Sequence, residues 1–212
     1  MVKYFIFNTY FCSNDVTSFT LFKPVFEVLS DQQLAIFSFG LFGLCNDAAT
    51  ALYEKEKKRI ETPFLYSYSQ ELQNFFNEYL KNNYTSILES SKIEEDILRK
   101  FLEKESLRNY FTQRGQALPE NFFAKLLDAE LPTLRQICFE LCSLCFSFLL
   151  SAPALRLRTE TTEFEEENNY KHEEHAWTFT TVGGTKFQYI ALPMLVSDTQ
   201  GGYVVECKAR VC

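Results

Sequence analysis

The spacing of apolar residues changes at Pro153, and this change constrains the fold more than any other feature of the chain. Before Pro153, apolar residues recur every three or four positions, as on a helix that buries one side. After it, they alternate with polar residues, as on a half-buried strand. We therefore predict a single domain over residues 1–212 with an α+β fold. A helical body of about five to seven helices occupies residues 13–155, and an antiparallel β-meander occupies residues 156–212.

Capping boxes and apolar stripes divide the first part into helices. In a capping box, a serine and a residue three positions later bond each other's backbone amides, and this pattern occurs at Ser30 with Gln33 and at Ser91 with Glu94. The first box opens a helix over residues 31–45 that Asn46 is expected to end. The second precedes a helix with one apolar side, formed by Ile93, Ile97, Leu98, Phe101 and Leu102. Further helices are predicted over residues 47–61, 69–83, 119–129 and 132–151.

The helix over residues 69–83 is expected to bury one side, formed by Leu72, Phe75, Phe76, Tyr79 and Leu80.

Strand signals lie outside the helical segments. Residues 2–11 are aromatic and β-branched, which predicts an N-terminal strand that joins the sheet. Gly183-Gly184 predicts a hairpin turn, and Pro193 predicts an edge or a bulge in the strand that contains it.

The charge of the chain argues against generic nucleic-acid binding. The formal net charge is 21 − 28 = −7, whereas binding to phosphate backbones needs a basic footprint. Seven acids and one base fall between Glu160 and Glu174. This stretch is interpreted as a solvated loop, with docking of a basic partner or a loose cation site as the functional alternatives.

The cysteines and apolar segments indicate a reduced, cytoplasmic protein. Seven cysteines without the spacing of a small secreted domain predict free thiols. The apolar run over residues 136–155 would nearly span a bilayer, but Gln136, Glu140 and three serines form a polar stripe along it. We interpret it as a core helix. Residues 36–45 are too few to span, so no membrane span is expected.

The last predicted strand, residues 203–211, carries the sequence Glu206-Cys207-Lys208. Alternation places Glu206 and Lys208 on one face and Cys207 on the other. An apolar strand with the pattern E-x-K resembles the catalytic strand of the restriction-endonuclease-like nucleases. The resemblance implies that Glu206 and Asp198 bind Mg²⁺ or Mn²⁺, while Lys208 assists the attacking water.

A solvated strand face is the alternative interpretation of the same pattern. If residues 199–202 form a hairpin loop, Asp198 pairs with Tyr203. Glu206 then lies three residues farther along, roughly 10 Å away at the rise of a strand. Both carboxylates could hold one ion only if a bulge or a supporting acid brought them together.

Two further groups of residues suggest metal chemistry. Cys138, Cys142 and Cys145 have the spacing C-x₃-C-x₂-C, which resembles the iron–sulfur motif of radical S-adenosylmethionine enzymes. On a helix, the first and last of these cysteines are about 10 Å apart, so we expect all three to pack in the core. His172 and His175, the two histidines of the chain, could hold zinc together with nearby acids.

No set of residues in the sequence makes a complete catalytic arrangement. The leading hypothesis is a non-catalytic regulatory protein, similar to an adaptor or inhibitor, that binds a protein partner. The aromatic content, with Phe 22 and Tyr 11, supplies side chains that dominate interfaces. One alternative is the divalent-metal nuclease or a decayed relative, and another is a helical domain that binds a small hydrophobic ligand. No cofactor is expected outside the nuclease alternative, and the oligomeric state is left open.

Overall fold

The computed structural model describes residues 29–61, 70–125, 131–151, 154–158, 168–169, 171, 173–177, 186–187, 190–199 and 201–211. The described helices are α1 (Asp31–Glu61), α2 (Gln70–Ser91), α3 (Ile93–Phe101), α4 (Lys104–Thr112), α5 (Phe122–Lys125) and α6 (Leu131–Leu149). A β-rich part follows them, so the predicted α+β fold with a helical body is confirmed. The predicted strand over residues 2–11 and the Gly183-Gly184 turn lie outside the described residues.

Helix α1 begins at the predicted capping box. The Ser30 amide donates to the Gln33 side-chain oxygen (2.9 Å), and the Gln33 amide donates to the Ser30 hydroxyl oxygen (3.2 Å). The predicted end at Asn46 is wrong, because one helix continues to Glu61. Asparagine is only moderately unfavourable inside a helix, and burial of Cys45 and Ala49 continues the apolar face across it.

Helix α6 packs along α1 and forms the centre of the helical core. It buries residues on most of its circumference, as expected of a central helix: Leu134, Ile137, Cys138, Leu141, Cys142, Leu144, Cys145, Phe146 and Phe148. The predicted polar edge is present, since the Gln136 side-chain amide donates to Glu140 (2.9 Å). The predicted packing of Cys138, Cys142 and Cys145 in the core is also confirmed.

Helix α2 buries a narrower stripe than predicted. Phe76, Leu80, Tyr84 and Leu88 recur every four residues and are buried, whereas the Phe75 side chain is 59% exposed. The expectation that Phe75 lies on the buried side is therefore wrong. A stripe of period four keeps to one edge of the helix, and Phe75 lies about 100° around the axis from it.

The second predicted capping box is absent. Helix α2 continues through Ser91, whose hydroxyl donates to the Leu88 carbonyl (2.7 Å). The chain then turns at Lys92, which has a φ of 50°, and α3 starts without a side-chain cap. The apolar side of α3 is as predicted, since Ile97, Leu98 and Phe101 are buried.

Among its described residues, the β-rich part forms two three-stranded sheets and a two-stranded pair. The strands are β1 (Leu155–Arg158), β2 (Asn168–Asn169), β3 (His175–Trp177), β4 (Lys186–Phe187), β5 (Ile190–Leu192), β6 (Met194–Thr199), β7 (Gly202–Cys207) and β8 (Ala209–Val211). The first sheet has the order β1-β6-β7 and is antiparallel. The second has the order β3-β8-β5, and β3 runs parallel to β8, which departs from the predicted meander.

Two breaks in the strands separate these sheets. Pro193 lies between β5 and β6, in agreement with the irregularity predicted there. The predicted last strand is interrupted at Lys208, where the chain leaves β7 and enters β8 of the other sheet. The predicted alternation of side chains between the two faces is confirmed around Lys208, because Cys207, Ala209 and Val211 are all buried.

Strand β6 lies between two apolar clusters. Its Leu195 joins the helical core, together with Leu157 and Cys207. Its Met194 and Val196 belong to a second cluster with Phe39, Phe187, Ile190, Ala209 and Val211. Because Phe39 comes from α1, this second cluster attaches the strands to the helical body.

One described helix is long and apolar enough to cross a membrane, judged by length and composition alone. It covers Gln32–Ile60 of α1, and 56% of its most apolar window is buried inside the fold. The segment 36–45, predicted to be too short to span, is part of this longer helix. A buried core helix of this length meets the same criterion.

Candidate binding pocket

A cavity of about 390 Å³ opens between α1, the last residues of α3, and α4. Its volume falls within the range of about 300 to 1,000 Å³ that is usual for small-molecule sites. The apolar part of its lining consists of Phe39, Leu44, Phe101, Leu107 and Tyr110. Such a lining can exclude water from an apolar ligand.

Two glycines of α1 form one side of the cavity. Gly40 and Gly43 are three residues apart, so they share a helix face. A Cβ on Gly40 would meet the Tyr110 ring at 2.7 Å, whereas a Cβ on Gly43 would meet nothing within 4 Å. Each glycine inside a helix costs about 1 kcal/mol relative to alanine. The absence of a side chain at Gly40 allows the Tyr110 ring to approach α1. The absence of a side chain at Gly43 leaves open space next to Gly43.

The aromatic wall of the pocket is held from several sides. The Tyr110 hydroxyl donates to the Ile36 carbonyl (3.2 Å), and its ring meets the Phe101 ring edge-on with centroids 6.1 Å apart. The Arg114 guanidinium lies over the Tyr110 ring, 3.5 Å from its centroid, and donates to the Tyr110 carbonyl (3.0 Å). Cation–π contact and hydrogen bonding therefore fix both side chains at the rim.

Charged groups surround the opening. Asp47, Lys100 and Arg114 line the cavity, and the first two are exposed. No ion pair of Asp47 or Lys100 occurs within the described part of the chain. Two cations against one anion favour a ligand that carries a negative charge next to an apolar body.

Ser106, also in the lining, donates to Glu103, the N-cap residue of helix α4. Its amide donates to the Glu103 carboxylate (3.0 Å), and its hydroxyl donates to the same oxygen. These hydrogen bonds from Ser106 lower the pKa of Glu103, as expected when donors stabilise the ionised form. The Ser106 hydroxyl therefore already donates to the Glu103 cap, and its role in the pocket is structural.

The residues of the E-x-K pattern lie on the β6–β7 hairpin. Asp198 pairs with Tyr203, as the hairpin interpretation predicted. The register then shifts, because Val196 pairs with Val205 and Leu195 pairs with Cys207. Glu206 is therefore the additional residue of a β-bulge.

The bulge does not bring the two carboxylates together. The Glu206 carboxylate accepts a hydrogen bond from the Ser197 hydroxyl (2.7 Å). Asp198 follows Ser197 and so points to the opposite face of the sheet, where it pairs with Arg156 of β1 (2.5 Å). Lys208 is half-buried at the junction of β7 and β8. The arrangement holds Asp198 and Glu206 in separate contacts on opposite faces.

Of the two histidines, His172 lies outside the described residues. His175 is buried, and its ring lies edge-on to the Phe187 ring with centroids 4.7 Å apart. Its Nδ1 accepts a hydrogen bond from the Lys171 backbone amide (3.0 Å). Burial lowers the pKa of His175, so the neutral ring is favoured and one of its nitrogens is engaged in the local turn.

The sequence suggested a ligand-binding helical domain as one alternative, but it indicated neither the residues that line this pocket nor the contact between Cys45 and Cys138. The run Phe39-Gly40-Leu41-Phe42-Gly43 places two glycines inside a helix, and this was the available signal for the pocket. The structure also brings the Cys45 sulfur to 3.6 Å from the Cys138 sulfur. The spacing of residues along the chain does not show which helices pack together, so this contact had no sequence signal.

No protein-family model matches the chain, and no curated protein or solved structure is significantly similar to it. Of the described features, the pocket between α1, α3 and α4 combines a largely apolar lining with charged groups at its opening. That combination is characteristic of small-ligand sites.

Proposed function

We propose that the protein is a non-catalytic binding protein whose pocket between α1, α3 and α4 holds a small ligand with an apolar body and an anionic group. The observation that carries the proposal is the open space beside Gly43, which lines the same pocket as the fixed ring of Tyr110. A glycine at this helical position lowers helix stability. A ligand that fills the space would account for its presence there.

The charge at the opening supports an anionic ligand. Lys100 is exposed at the end of α3, and Arg114 is fixed over the Tyr110 ring. The planar guanidinium presents donors suited to a carboxylate, sulfonate or phosphate. Asp47, which also lines the pocket, disfavours a second negative charge on the ligand.

A fluorescent probe with an aromatic body and a sulfonate, anilinonaphthalene sulfonate, tests the proposal on the folded protein. We expect saturable binding that Gly43→Leu weakens by tenfold or more, because the leucine side chain fills the cavity. Gly201→Leu is the matched control, since a Cβ at Gly201 also meets nothing within 4 Å but lies in the β6–β7 turn.

A charge reversal tests the anionic part separately. Lys100→Glu is expected to weaken binding of the probe several-fold. Lys81→Glu makes an equal change of charge on the exposed face of α2 and should leave the affinity for the probe unchanged. Equal binding by wild type and Gly43→Leu would refute the pocket. Equal effects of the two lysine variants would show that the overall charge, and not the rim, attracts the probe.

The adaptor-like function predicted from the sequence remains a second proposal. Phe75 supports it, because 59% of this large aromatic side chain is exposed on α2, and aromatic side chains are frequent anchors of interfaces. The test is a partner captured by the wild type and lost in Phe75→Ser. Retention of that partner by Phe75→Ser would remove α2 from the interface.

A further inference from the structure

Three cysteine side chains from two helices meet inside the helical core. Cys45 comes from α1, and Cys138 and Cys142 are one turn apart on α6. Their three sulfur atoms lie within 4.8 Å of one another. All three residues have no exposed surface. We call this group the thiol cluster.

The spacing of the sulfur atoms suits a shared metal ion. The distance from Cys45 Sγ to Cys138 Sγ is 3.6 Å, well above the roughly 2.05 Å of a disulfide bond, and all three cysteines are free. Sulfurs bound to one ion at about 2.3 Å are separated by about 3.8 to 4.0 Å in tetrahedral or trigonal geometry. The three sulfur atoms lie within 4.8 Å of one another, so closing the widest separation by up to about 1 Å would let the cluster surround an ion.

The number and type of donors select the metal. Within the described residues the group contains three sulfur atoms and no histidine or carboxylate, whereas structural zinc takes four ligands. Burial also removes the water that could supply a fourth ligand. Thiolates select soft ions such as monovalent copper, which is stable with three sulfur ligands.

We propose that Cys45, Cys138 and Cys142 form a binding site for one Cu⁺ ion that links α1 to α6. Binding exchanges thiol protons, which leave to solvent, for the metal ion, and no electron is transferred. With two thiolates and one thiol as ligands, the bound site carries a single net negative charge. A divalent ion would need a third thiolate to reach the same charge.

The test uses the reduced full-length protein under anaerobic conditions with Cu⁺ supplied as its bicinchoninate complex. We expect the protein to withhold one equivalent of copper from the chelator and to unfold at a higher temperature when loaded. X-ray absorption should count three sulfur neighbours. The variants Cys45→Ala, Cys138→Ala and Cys142→Ala should each weaken copper retention by at least tenfold.

Cys145→Ala is the matched control, because Cys145 is also buried on α6 but its sulfur lies outside the cluster. Circular dichroism and the unfolding temperature of each metal-free variant separate lost binding from lost folding, and serine at the same positions replaces any alanine variant that does not fold. Complete surrender of copper by the wild type would overturn the proposal, as would equal losses in Cys142→Ala and Cys145→Ala. Preferential retention of zinc would overturn the assignment of copper.

Discussion

Gly40 and Tyr110 pack against each other so closely that a Cβ on Gly40 would lie 2.7 Å from the Tyr110 Cζ and hydroxyl oxygen. The same hydroxyl donates to the carbonyl of Ile36, one turn earlier on α1. This contact joins α1 to α4 and fixes the aromatic wall of the pocket. Three residues along α1, Gly43 faces open space.

The two glycines should therefore respond to alanine in opposite directions. Gly40→Ala is expected to lower the free energy of unfolding by about 1 to 3 kcal/mol, because overpacking displaces the Tyr110 ring. Gly43→Ala should raise it by about 0.5 to 1 kcal/mol through better helix propensity and a less flexible unfolded chain. Urea unfolding measures both, and a change of the same sign in the two variants would contradict the described packing.

The hydrogen bond between Ser197 and Glu206, at the bulge of β7, should contribute measurably to the free energy of unfolding. Ser197 is buried, and its hydroxyl donates to the Glu206 carboxylate at 2.7 Å. Removing Glu206 leaves the serine without this acceptor, so Glu206→Ala is expected to lower the free energy of unfolding by about 1 kcal/mol. A double-mutant cycle with Ser197→Ala should show a coupling of similar size. Additive effects of the two changes would show that the contact contributes nothing.

Local sequence signals predicted those parts of the fold that depend on neighbours along the chain. The Ser30–Gln33 box, the apolar side of α3 and the change of period at Pro153 are properties of residues a few positions apart. The box at Ser91 and Glu94 failed because the burial of Leu88 extends α2 through Ser91, whose hydroxyl bonds back to the Leu88 carbonyl. Tertiary packing of that kind overrides a local cap.

The candidate site depends on which helices meet, and the sequence does not specify this. Gly43 and Lys100 line one pocket only because α1 packs beside α3 and α4. Cys45 reaches Cys138 only because α1 lies along α6. The separation of Asp198 from Glu206 likewise follows from a bulge, and one additional residue in a strand leaves no clear mark on the alternation of residues.

Divalent metal ions should leave the β6–β7 hairpin unaffected. Asp198 is held by Arg156, and Glu206 is held by Ser197 on the other face of the sheet. We therefore expect equal unfolding temperatures in EDTA, Mg²⁺ and Mn²⁺, for the wild type and for Glu206→Ala alike. A rise with Mn²⁺ that disappears in Glu206→Ala would instead support the nuclease interpretation and justify cleavage assays.

Acid should destabilise the protein through His175. Burial lowers the pKa of His175 in the folded state, so the unfolded chain binds protons more readily than the folded one. The contribution of neutral His175 to the free energy of unfolding is fully present above the pKa of the unfolded chain, about 6.5. It is lost progressively as the pH falls below that value toward the folded pKa.

His175→Asn isolates this effect, because the asparagine oxygen can replace Nδ1 as the acceptor of the Lys171 amide without titrating. Between pH 7.5 and pH 5.5, the free energy of unfolding should fall more in the wild type than in this variant. Urea unfolding at the two pH values gives the comparison, and the contribution of His172 is common to both proteins. An equal decrease in both would show that His175 has the same proton affinity in the folded and unfolded chains.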